Sequence, residues 1–212
     1  MLNNPPSDIQ LYWRWLSVGA FSVGLGMTAW SVIANTEPNP RHPAIVTTAW
    51  MSFALWAGAI GLMVQAGPGE WVPTTARFRV TRWTWVLAAT MFVIHFLLAF
   101  HFAHRWRHEN AIRHVEVTTG FGPGLFVSYF FTIVWVVDAI WLCVGPTSYA
   151  SRPRWLGWTI HTFMTFITFN ATAVFAHGLM RWVSIGVFGV LVWYWLMGMR
   201  KVTRPSSRCV PE

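Results

Sequence analysis

The chain has 212 residues, 55% of them apolar and only 10% charged, with a mean hydropathy of +0.44. Soluble domains carry about 25% charged residues, so this composition excludes a water-soluble globule and makes the lipid bilayer both solvent and first partner. The net charge of +8 and the pI near 10.8 come from arginines in the short gaps between apolar stretches, where Lys and Arg flank membrane spans; this argues against a nucleic-acid partner.

Residues 1–12 read as a polar tail containing Pro5-Pro6. The first apolar stretch, about 13–33, matches the roughly 20 residues that cross a hydrocarbon core. Val32-Ile33-Ala34 would pass as a signal-peptidase tripeptide, but Asp8 and a single Arg14 make a poor n-region, so a retained anchor is expected. Ala20/Gly24 and Ser22/Gly26 have the spacing that lets a second helix approach closely. Three prolines between Asn35 and Pro43 make a turn. Span two, about 44–65, repeats the small-residue spacing with Ala54/Gly58 and Ala57/Gly61 and is ended by Gly67-Pro68-Gly69.

The connection from Glu70 to Arg82 mixes Trp71 with Arg77, Arg79 and Arg82, a pattern suited to a segment lying on the membrane surface. Span three covers about 83–104, and Gly120, Gly122, Pro123 and Gly124 break the chain before span four at 125–144. The Thr119 to Gly124 run reads as a turn capping span four, with backbone N–H groups that could also meet a lipid headgroup. Gly145-Pro146 and Arg152-Pro153-Arg154 mark the next turn, span five covers 155–177, and span six covers 182–199 before a basic tail at 200–212. Trp13, Trp83, Trp155 and Trp182 stand at span ends, as rings anchored at the headgroup level do. Cys143 and Cys209 are too few for a disulfide framework and are expected to be free thiols.

The reading is therefore an all-α, polytopic transmembrane bundle of six spans in one domain. Six crossings put Arg14, Arg77, Arg79, Arg82, Arg152, Arg154, Arg200, Lys201, Arg204 and Arg208 on one side and Arg41, Arg105, Arg107, Arg113 and Arg181 on the other, ten against five. The positive-inside rule places both termini in the cytoplasm, in the cell inner (plasma) membrane.

That topology gathers imidazoles at the outer ends of spans three and five. At about 100° per residue His101, His104 and His108 share about 60° of arc on one helix face, whereas His95 points away. His177 reaches the same level from span five. A cofactor set of His101, His104 and His177 follows, with His108, His114 and Glu116 as weaker metal ligands, because neutral imidazole binds haem iron and transition metals. The bland alternative is a wet rim of His and Arg contacting lipid phosphates.

Two haems are disfavoured, since the cytoplasmic half offers only His161. The His104 to His108 spacing matches one box of the di-iron membrane desaturases, but no adjacent His-His pair exists and that chemistry is rejected.

A second constellation lies deeper. Asp138 in span four and His161 in span five stand at similar depth and are expected to pair, since an intramembrane carboxylate requires a partner. They form either a proton relay or a structural lock between two helices. His161, Thr165, Thr168 and Thr172 make a stripe that packs helix on helix. Asn170, near mid-bilayer, is expected to bond across to another helix.

No hydrolytic nucleophile with its base, Walker motif or dinucleotide fingerprint is present, so the isolated chain is not expected to be an enzyme. The leading functional expectation is a membrane component that binds haem b or a transition metal and takes part in electron transfer. The alternatives are a non-catalytic accessory or structural subunit working with other membrane subunits, and a small transporter or proton-conducting protein using Asp138 and His161.

Overall fold

The computed structural model describes residues 8–37, 39, 41–66 and 71–202, and among them there is helix and turn but no strand. Eight α-helices follow in order: α1 Asp8–Ala34, α2 Pro43–Val64, α3 Ala76–Leu98, α4 His108–Thr119, α5 Gly124–Val144, α6 Pro146–Ala150, α7 Arg154–Phe169 and α8 Leu179–Val202. Two π-helical turns, Ala99–Ala103 and Asn170–Val174, extend α3 and α7. Residues 1–7, the Gly67-Pro68-Gly69 stop and the basic tail beyond Val202 with Cys209 lie outside the described residues.

Among the described residues, four helices are long and apolar enough to cross a membrane: α2, α3 with its π turn, α5, and α8 as far as Met197. Val18–Ala34 of α1 counts as a shorter apolar helix. α7 and its π turn form one continuous helix of 16 plus 5 residues, diluted in apolar character by His161, Asn170 and several threonines.

Local chemistry sets the starts. Pro43 occupies the first turn of α2, where its missing N–H costs nothing, and the Nδ1 of His42 accepts from the Ala44 N–H at 3.2 Å in place of an Asp or Ser cap. Thr75 caps α3, its hydroxyl accepting from the Phe78 N–H at 3.2 Å. That cap starts α3 at Ala76, so the stretch through Arg82, expected to lie on the membrane surface, is instead its first turns, with Phe78, Val80 and Thr81 buried. Its arginines tie down the preceding loop: Arg77 donates to the Gln65 carbonyl at 2.9 Å and Arg79 to that of Thr74 at 3.0 Å.

α4 has no counterpart in the sequence reading. It is polar, its only buried residue is Ala111, and it closes on Gly120, whose φ of +78° is the left-handed cap position that glycine takes without strain.

α2 and α3 form the centre, with α1 laid across both, α5 against α3, α7 against α5, and α8 against α2 and the second π turn. Neighbours alternate in direction: His42 at the start of α2 stacks on Phe102 beyond the end of α3 at 3.8 Å, and Phe92 in α3 meets Phe131 and Trp135 of α5 at 5.1 and 5.2 Å. Of the two small-residue faces expected on α1, one is used. Gly24 and Thr28 are buried, and a Cβ on Gly24 would stand 2.7 Å from Cγ of Met51. Ser22 and Gly26 face outward. So do Trp30, Trp155, Trp158 and Trp182, each more than 60% exposed, which suits rings in contact with lipid.

Candidate functional site

Two polar constellations stand at opposite ends of the bundle. At the first, α5 ends on Gly145, and Pro146 starts the five-residue α6, so the chain folds back beneath α5 and delivers Tyr149 and Arg152 to Asp138. The carboxylate collects three donors. Trp85 Nε1 donates to Oδ2 at 2.9 Å, Tyr149 OH to Oδ2 at 3.0 Å and Arg152 Nη1 to Oδ1 at 3.0 Å. Asp138 and Arg152 side chains are 1% and 8% exposed. The guanidinium carbon also sits 3.8 Å from the Tyr149 ring centroid, a desolvated cation-π contact. Gly157 leaves room for it, since a Cβ there would come within 3.1 Å of Arg152 Nε. Burial first, then the Asp138 charge, push the Tyr149 hydroxyl far above its usual range, so it remains a donor.

Arg152 Nη2 lies 2.9 Å from His161 Nε2. A guanidinium only donates, so Nε2 accepts and the imidazole is neutral with its proton on Nδ1. That Nδ1 is buried and has no partner among the described residues. Asp138 and His161 thus belong to one network, but Arg152 stands between them. The Trp85 ring packs on His161 at 5.3 Å. Sequence reasoning found the acid and the imidazole and missed Trp85, Tyr149 and Arg152. One signal was available: a buried carboxylate needs a cation, and Arg152 is the first cation along the chain after it.

The stripe below this network makes one bond along its own helix. Thr172 donates to the Thr168 carbonyl at 2.8 Å, and Thr168 is buried. Asn170, expected to bond across to another helix, donates instead to the Phe166 carbonyl of its own helix at 2.7 Å.

At the other end the histidines separate. The π turn Ala99–Ala103 resets the angular spacing, and Arg105 and Trp106 then adopt positive φ of 51° and 58°. His108 consequently heads α4 and does not continue the face of His101 and His104. His101 is exposed and accepts from Trp106 Nε1 at 3.1 Å. The Nδ1 of His108 bonds Tyr129 OH at 2.8 Å.

His104, 9% exposed, turns toward α4, where its ring centroid lies 5.3 Å from that of His114. Asn110 Nδ2 donates to the His104 carbonyl at 3.1 Å, tying α4 to the π turn. Between them is an open cavity of about 320 Å³ lined by Ala103, His104, Asn110, Arg113, His114 and Val117. Burial, and second the neighbouring His114, hold His104 below the usual imidazole range. Glu116 is exposed on α4. His177 is exposed in the link before α8, with no hydrogen bond or ring contact to the other histidines among the described residues. Nor do three His, Cys, Asp or Glu side chains come together to hold a metal ion among those residues; His104 and His114 make the one ring contact between two imidazoles there.

Comparison with protein families, with characterised proteins and with solved structures finds no match to this chain. The functional argument therefore rests on these two constellations.

Proposed function

We propose that this chain is a multi-pass protein of the cell inner (plasma) membrane and serves there as a non-catalytic, structural subunit of a membrane complex. In this reading α1 and the continuous α7 join the four long apolar helices to make six crossings, and the ten-to-five division of Lys and Arg puts both termini in the cytoplasm.

One observation carries the structural reading: Asp138, expected to be either a proton relay or a structural lock, has its carboxylate filled by Trp85, Tyr149 and Arg152. A carboxylate offers about four acceptor positions, and three are taken by groups buried in the same fold. Such a centre fixes α3, α5 and the start of α7 to one another and does not pass protons. Five histidines, at 42, 95, 101, 108 and 161, are likewise bonded to neighbours.

Native-gel separation of gently solubilised membranes tests the proposal. The chain should run in an assembly larger than its own 24.2 kDa, and the purified chain in liposomes should move no protons beyond empty vesicles. Migration alone, or proton flux abolished by Asp138→Asn, would overturn it.

A second reading, a haem- or metal-binding component active in electron transfer, is favoured by the 5.3 Å separation of His104 and His114. With metal–nitrogen bonds of about 2.0–2.1 Å, two imidazoles on one tetrahedral ion hold their ring centres roughly 5 Å apart. A Soret band or stoichiometric metal in the purified protein would establish this reading in place of the first.

A further inference from the structure

The cleft between the π turn of α3 and α4 has a chemistry that the structural role does not use. One wall is Ala103 and His104. The other is a single face of α4, made by Asn110, Arg113, His114 and Val117 at i, i+3, i+4 and i+7. Asn110 uses one of its two amide N–H groups on the His104 carbonyl, so it helps build the cleft, whose charged and ring groups are left to a ligand.

Arg113 supplies the charge. It is exposed and makes no ion pair or hydrogen bond among the described residues, whereas its neighbour Arg107 is engaged with Glu109 at 3.1 Å. A guanidinium presents five donors in a planar fork shaped for phosphate or carboxylate oxygens. Each imidazole adds an N–H donor.

No carboxylate lines the cavity. The acidic residues of α4 lie to the other side of Arg113: Glu109 is held by Arg107, and Glu116 is exposed with its Cβ beside Gly122. Glu109 and Glu116 flank Arg113 at i−4 and i+3 but form no ion pair with it among the described residues, so the charge presented to the cleft itself is positive, which repels a metal cation, attracts an anion and weighs against the metal occupant of the second reading.

The size and place of the cleft narrow the anion. About 320 Å³ holds a tetrahedral oxyanion with water. Val117, on its lining, is apolar and 83% exposed, and the exposed Trp106 and Phe121 stand two residues from His104 and four from Val117 along the chain. A headgroup phosphate could enter with its acyl chains resting on these residues.

We propose that this cleft binds a phosphate group, gripped by Arg113 with His104 and His114 beside it and carried by a lipid headgroup or by a free phosphate ion.

The test uses the full chain purified in detergent at pH 7, titrated calorimetrically with inorganic phosphate, and in parallel reconstituted in phosphatidylcholine nanodiscs with and without phosphatidylglycerol to measure retained anionic lipid. Arg113→Gln should weaken whichever binding occurs by about tenfold or more, as loss of a charge-assisted bond does. Arg113→Lys should keep part of it. Both changes lie on a helix whose only buried residue is Ala111, and an unchanged elution profile checks the fold.

Binding of inorganic phosphate that depends on Arg113 supports the free ion. Arg113-dependent retention of phosphatidylglycerol without phosphate binding supports the headgroup. No binding in either arm, binding indifferent to Arg113→Gln, or tight uptake of zinc(II) at this cleft would overturn the proposal.

Discussion

Arg152 reaches back fourteen residues to place its Nη1 3.0 Å from Oδ1 of Asp138, and neither side chain is more than 8% exposed. Burying two charges is expensive, and the pair holds only because every neighbour helps: Trp85 and Tyr149 fill the other carboxylate oxygen, and the Tyr149 ring covers the guanidinium. Removing one partner strands the other. Asp138→Ala or Arg152→Gln should each destabilise the bundle by about 3–5 kcal/mol. Thermal unfolding in detergent measures it, and the double variant Asp138→Ala with Arg152→Gln should cost less than the sum of the single changes. Strict additivity would show that the two do not interact.

Tyr149→Phe isolates one arm of the network. The ring stays under the guanidinium and only the hydroxyl at 3.0 Å from Oδ2 is lost. A hydrogen bond to a charged group contributes about 1.5–3 kcal/mol, so the midpoint of unfolding should fall measurably but by less than with Arg152→Gln. An unchanged midpoint would remove the hydroxyl from the network.

The close approach of α1 to α2 gives a position-specific expectation. A Cβ on Gly24 meets Met51 Cγ at 2.7 Å, whereas one on Gly26 has nothing within 4 Å. Gly24→Leu should destabilise by about 1–3 kcal/mol, as overpacking does, and Met51→Ala should recover part of the loss. Gly26→Leu should leave the unfolding midpoint where it is. Equal effects at the two glycines would place the α1 contact on a different face.

His104 gives a pH dependence with a definite sign. Burial and then His114 hold its pKa below the ordinary 6.5, so between the folded value and about 6.5 the unfolded chain binds more protons than the folded one. Stability therefore rises with pH across that interval: the contribution is complete above about 6.5 and is lost as the pH falls below it. Unfolding midpoints recorded from pH 5 to 8 should show the slope, and His104→Gln should flatten it. His114→Gln should move the His104 titration upward in an NMR pH series, because the second cause of the depression is gone.

Much of this fold is written in the chain, and the exceptions have physical causes. Pro43 at the start of α2, and Gly145-Pro146 after α5, bound apolar runs so sharply that the helices differ from the expected spans by single residues. α4 is hard to see because HENAIRHVEVTT buries only Ala111, and its inward apolar stripe is no more than Ala111, Ile112 and Val115 in a short polar helix. The π turns are invisible because a helical period does not register one inserted residue. That is why His101, His104 and His108 looked like one face and are not. At the buried network, the need of Asp138 for a partner followed from the cost of a charge in lipid. Its identity did not, because Arg152 arrives through the short α6, whose path no periodicity describes. Asn170 was assigned an interhelical bond on the same cost argument, but the Phe166 carbonyl one turn back was close enough to satisfy it.

The proposed six crossings make an orientation experiment decisive for the histidine end. Val117 on α4 is 83% exposed, and the topology proposed from the ten-to-five division of Lys and Arg would put it outside the cell together with the cleft of His104, Arg113 and His114. A Val117→Cys chain, with Cys143 and Cys209 replaced by serine, should react in intact cells with a thiol reagent that does not cross membranes, whereas a cysteine restored at 209 should react only after permeabilisation. Four crossings would also put α4 on the side of the C-terminus if α1 and α7 lay outside the membrane, because α5 and α8 would then cross in succession; Val117 and Cys209 would share one labelling pattern. Opposite patterns with Val117 outside support six crossings. Opposite patterns with Val117 inside would reverse the orientation and put the imidazole and arginine cleft in the cytoplasm.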